Sequence, residues 1–79
     1  MKELNETVSG MLSEDVNERF KAEYMQLDIR ITRLKKYIAH YKPKIKLIDL
    51  YILEEQLKAM IEYRNTLELR ASLEEIDLD

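Results

Sequence analysis

Three observations predict an all-α fold, a long antiparallel helical hairpin preceded by a short helix. The 79 residues include one Gly and one Pro, and 37% are charged, which is the composition of long solvent-facing helices. Apolar residues recur at helical spacing in two long runs. Pro43 falls between those runs, where it stops the first and turns the chain. One domain of this size buries only about 60% of its unfolded surface. With no cysteine to supply disulfides, self-association into a homo-oligomeric helical bundle is expected.

Leu4, Val8, Met11 and Leu12 recur at i, i+4, i+7 and i+8, so residues 1–10 read as a short amphipathic helix or tail, with a hinge at Ser9–Gly10. Ser13 or Asp15 is a suitable N-cap for the helix that follows, and acidic side chains suit its first turn. The hairpin should occupy residues 11–79, with helices at about 14–41 and 47–73. In the first helix Phe20, Tyr24, Leu27, Ile31, Leu34, Ile38 and Tyr41 form a heptad seam spaced alternately four and three, which must face another helix. Pro43 lacks an N–H and disfavours helical geometry at Lys42, so the helix ends near Tyr41. The short link from Lys42 to Lys46 sends the next helix back beside the first.

The second helix carries Leu50, Leu53, Leu57, Met60, Leu67 and Ala71 on one stripe, interrupted by Arg64. Gln56, Tyr63 and Arg70 form a second row, seven residues apart, along one side of that stripe. Ile48, Ile52, Ile61, Leu69, Leu73, Ile76 and Leu78 lie partly off the main stripe. They need cover that one hairpin does not supply, which is the second reason to expect an oligomer.

Charge is unevenly placed. Residues 1–28 hold three basic and seven acidic side chains, residues 29–48 hold seven basic and none acidic, and residues 49–79 hold three and nine. A folded hairpin therefore has a positive tip, with Tyr37, His40 and Tyr41 inside it, on a negative body. That pattern suits a phosphate-bearing partner. Helix-dipole compensation accounts for Lys35, Lys36 and Lys42, but not for Lys44 and Lys46, which fall at or before the start of the next helix. The net charge of −3 and the acidic flanks argue against nucleic acid.

Other classes fare worse. The N-terminus lacks the continuous apolar run of a signal peptide, and no stretch approaches the roughly 18 apolar residues of a membrane span, so a cytoplasmic protein is expected. His40 is the single histidine and has no cysteine or Glu-x-x-His pairing around it, so no metal is expected. Ser9, Ser13 and Ser72 are far along the chain from His40, and no Gly-rich loop cradles a triphosphate, so no enzyme and no cofactor are expected.

Leu53-x-x-Gln56-x-x-x-Met60-x-x-Tyr63-x-x-x-Leu67-x-x-Arg70 is preceded by Arg19-Phe20-Lys21-x-Glu23-Tyr24-x-x-Leu27-x-x-Arg30-x-x-x-Leu34 and followed by Glu75-Ile76-Asp77-Leu78. From about Met11 onward this resembles a family of small phage proteins related to an open reading frame of crAss-like phages. That hairpin is in turn similar to phage anti-defence sponges of the anti-CBASS and Thoeris-inhibiting kind. Many such relatives carry a longer connection with Gly, Cys or Pro, whereas this chain passes directly through Lys42 to Lys46.

The resemblance implies a non-catalytic protein of the infected host's cytoplasm, a dimer or hexamer. Its implied role is to sequester a cyclic di- or trinucleotide, or a cyclic ADP-ribose-type signal. The side chains to carry that binding are Tyr24, Arg33, Lys36, Lys42, Lys44, Gln56, Tyr63 and Arg70. The other reading of the same residues is a homo-oligomeric structural or regulatory module that binds a host protein, with the Gln56, Tyr63 and Arg70 row as an interface flank.

Overall fold

The computed structural model describes residues 16–78. Helix α1, Val16–Tyr41, and helix α2, Leu47–Leu73, are joined by a 3-10 turn at Lys42–Lys44, and the described residues include no strand. The expected helix over residues 1–10, the Ser9–Gly10 hinge and the Ser13 or Asp15 cap lie outside the described residues.

Pro43 sits in the turn, where its missing N–H costs nothing. The Ile45 N–H donates to the Lys42 carbonyl at 3.3 Å, and the backbone then runs extended through Ile45 and Lys46. Lys46 is the N-cap of α2. Its carbonyl accepts the Leu50 N–H at 2.9 Å, but no side chain caps this end.

The core is an antiparallel seam. Phe20, Leu27 and Ile31 of α1 pack with Leu67 and Ala71 of α2, and Tyr24, Leu57, Met60 and Ile61 lean on them. Ile31 and Leu67, at 0% and 1% exposed, are its centre. Of the heptad positions, Phe20, Leu27, Ile31 and Ile38 are buried, Tyr24 and Leu34 are half-buried, and Tyr41 is exposed. Leu67 and Ala71 are the buried residues of α2, so packing is tight toward the open end and slackens toward the tip. Ala22 and Ile29 are buried too, although they lie about 180–200° around α1 from Phe20 and the seam does not account for them.

Arg64 is not a mere interruption of the stripe. Its Nη1 donates to Asp28 Oδ1 of α1 at 2.7 Å, so a half-buried ion pair joins the helices beside the core.

The chain also supplies part of the cover that the sequence leaves wanting. After α2, Glu75 adopts a left-handed conformation (φ 56°), and the Ile76 N–H donates back to the Ala71 carbonyl at 2.8 Å. This is a Schellman ending, and it folds Ile76 and Leu78 onto the core. Ile61 packs there as well, while Ile48, Ile52, Leu69 and Leu73 stay exposed.

Two substitutions test this ending by urea unfolding. Ile76→Ala should cost about 1–2 kcal/mol, below the roughly 2–5 kcal/mol of fully buried sites. Glu75→Gly should leave stability unchanged or raise it by up to about 1 kcal/mol, because the left-handed conformation disfavours a side chain.

Candidate functional site

The eight residues picked out from the sequence fall in three places. Lys42 and Lys44 are exposed in the tip turn. Tyr24, Tyr63 and Arg70 lie in the well-packed half, toward the open end, and Gln56 is exposed on α2 between the two regions. Arg33 and Lys36 are exposed on α1, about 140–160° around the helix from Phe20 and so away from the seam. Tyr63 is sixteen residues into α2 from Leu47, about 24 Å along the axis at 1.5 Å per residue. One hairpin therefore does not gather the eight into one pocket.

At the tip, Tyr37 and Tyr41 stack tilted at 4.9 Å between centroids, and His40 meets Tyr41 edge-on at 4.6 Å. Beside them an open groove of about 510 Å³ is lined by Tyr37, Lys44, Lys46, Asp49, Ile52 and Leu53, among others. Lys44 and Lys46 precede α2, at the positive end of its dipole, where a cation is unfavourable. Their placement opposes helix stability, so stability does not explain it.

At the open end a ladder of polar bonds crosses between the helices. The Tyr24 hydroxyl donates to Glu68 Oε2 at 3.0 Å, and the Tyr63 hydroxyl donates to the Glu23 carboxylate. With Arg64 and Asp28, these pairs hold partners whose numbers add to about 90, which is the register of the hairpin. The sequence reading missed Glu23, Glu68 and Asp28 as acceptors. A turn centred near residue 45 already implies that register, so counting outward from the turn would have found them.

Arg70 sits at the end of this ladder. Its guanidinium lies over the Phe20 ring at 4.9 Å, and its Nε donates to Glu74 Oε2 at 3.3 Å in an exposed pair. Val16, Arg19, Phe20, Glu23 and Arg70 line an open groove of about 300 Å³. Arg19 and Arg70 thus line one groove, with Phe20 buried beneath the Arg70 guanidinium and the Glu23 carboxylate beside them. Such a pair suits a phosphate or carboxylate next to a planar group. Gln56 and Tyr63 continue the same side of α2 toward the tip. The described residues hold no cluster of three or more His, Cys, Asp or Glu suited to a metal ion, and no helix long and apolar enough to cross a membrane.

Fold and site thus define a small all-α hairpin with one edge of mixed charge, carrying Tyr63, Arg19 and Arg70 beside Glu23 and Glu74, and a basic tip. The chain belongs to the Sequestin family, whose model matches residues 14–73 and so takes in both helices, the tip and the Gln56, Tyr63 and Arg70 row. The family name is one of sequestration, and a sequestering role is consistent with the hairpin described above. No curated protein and no solved structure matches the chain.

The tyrosine bonds make stability depend on alkaline pH. Burial, and then the bond to Glu68, push the Tyr24 hydroxyl above its ordinary pKa. The bond to Glu23, and then burial, do the same for Tyr63. Both groups hold their proton more tightly folded than unfolded. Their contribution is therefore complete below the unfolded value near 10 and is lost as pH rises through the raised folded values. The double variant Tyr24→Phe and Tyr63→Phe should be less stable than wild type at pH 8, and that gap should narrow above pH 10 in urea titrations.

Proposed function

We propose that this protein is a non-catalytic sponge that sequesters a cyclic di- or trinucleotide, or a cyclic ADP-ribose-type signal. In this reading it acts as a phage anti-defence factor in the cytoplasm of an infected bacterium. The observation that carries the reading is the Sequestin match over residues 14–73, because it spans every element of the candidate edge. Sequestration needs tight, selective binding and no chemistry.

The chemistry of the edge supports a phosphate-bearing, base-bearing ligand. Arg70 and Arg19 supply guanidinium forks for phosphate oxygens, the half-exposed Tyr63 ring supplies a face for a base, and the Glu23 carboxylate retains lone pairs for a base N–H. Lys42 and Lys44 at the tip, with Arg33 and Lys36 on another side of α1, add a positive field that raises the encounter rate with an anion.

Calorimetric titration with a panel of cyclic di- and trinucleotides and cyclic ADP-ribose isomers tests the proposal. Arg70→Ala removes a charge-assisted contact of roughly 1.5–3 kcal/mol, and Tyr63→Ala a stacking surface of roughly 1–3 kcal/mol per base. Each should lower affinity about tenfold or more at unchanged helicity. Replacing Lys42 and Lys44 with Gln should weaken binding less and reduce its salt dependence. If the wild type binds nothing in the panel, the sponge reading fails, and a module that binds a host protein takes its place.

A further inference from the structure

The outward face of α2 carries two apolar patches, one at each end. Ile48, Tyr51 and Ile52 lie near the tip, and Leu69 and Leu73 near the open end; all are between 56 and 76% exposed. All five lie about 100–160° around α2 from Ala71, which is buried against α1, so the hairpin cannot cover them. The patches differ in their surroundings. The tip patch adjoins the 29–48 segment, with seven basic and no acidic residues, and the other is followed by Glu74, Glu75 and Asp77. Between them the outward face carries Glu55, Ala59, Glu62 and Thr66, with Lys58 toward one side.

We infer that α2 pairs with α2 of a second copy in an antiparallel, two-fold interface centred between residues 60 and 61. In that arrangement Ile48 meets Leu73 of the partner subunit, and Ile52 meets Leu69 of the partner subunit, so each apolar patch covers the other. Lys58 falls beside Glu62 of the partner subunit, and the reverse pair repeats across the axis. The basic tip of each copy lies along the acidic open end of the other. A parallel pairing would instead stack tip on tip and acid on acid, and charge opposes it. The inference rests on the apolar patches and on charge and not on a ligand, so it can fail while the sequestration reading stands.

The chain has no cysteine, so single engineered thiols report the pairing. Chains carrying Ile48→Cys and chains carrying Leu73→Cys, mixed and oxidised, should form the mixed disulfide in clear excess over either homodisulfide. Ile52→Glu and Leu69→Glu should each convert the protein to a monomer by light scattering at micromolar concentration. Circular dichroism should be unchanged, because both side chains are already exposed within one hairpin. A wild-type monomer, or an excess of the Ile48→Cys homodisulfide, overturns the antiparallel pair. So does a wild type that stays monomeric and sediments with phosphatidylglycerol vesicles, which assigns the tip patch to an anionic lipid surface.

Discussion

The core seam, in which Phe20, Leu27 and Ile31 pack with Leu67 and Ala71, is the constraint on which the rest depends. Ile31 and Leu67 are completely or almost completely buried, and they belong to the core cluster that joins the helices among the described residues. The Arg64–Asp28 ion pair beside them fixes how far one helix slides along the other. Once that register is set, Tyr24 reaches Glu68, Tyr63 reaches Glu23, and Arg70 comes over Phe20. The candidate edge is thus a consequence of core register and not of a separate binding loop. A slip of one helical turn, about 5.4 Å, would break all of these pairs together.

Burial is graded along the hairpin. The open end holds the buried residues of α2 and is sealed by Ile76 and Leu78, whereas the tip holds exposed Tyr37, Tyr41, Leu47 and Ile48. Polar pairs between the helices therefore surround Tyr63 and Arg70, and the tip offers charge, apolar surface and the wider open groove. This division suits a protein in which one end orients a ligand and the other attracts it or meets a neighbouring molecule.

Much of the fold is legible in the residues. The seam from Phe20 to Ile38 shows α1, Pro43 shows the turn, and the Leu53 to Ala71 stripe shows α2. The Schellman ending is not legible, because Glu75 occupies a position where glycine is the usual signal. Arg64 reads as a flaw in the stripe until Asp28 is placed opposite it, since periodicity describes one helix at a time and an ion pair needs two. For the same reason the row of Gln56, Tyr63 and Arg70 is visible from spacing alone, while its partners Glu23 and Phe20 are not. The basic residues share a segment of sequence, yet α1 distributes Arg33 and Lys36 to a side away from Lys42 and Lys44, so proximity in sequence overstates their proximity in space.

The proposed role joins these parts without chemistry. In that role Arg19, Arg70 and Tyr63 would bind, the basic tip would attract, and the bound signal would be withheld but not changed. The most direct measurement is to incubate the protein with a mixed pool of cyclic oligonucleotides and cyclic ADP-ribose isomers, repurify it, denature it and identify the released small molecules by mass spectrometry. The expected result is one ligand class enriched near stoichiometry, with its mass unchanged. Recovery of no nucleotide, or of hydrolysed products only, would contradict a sponge.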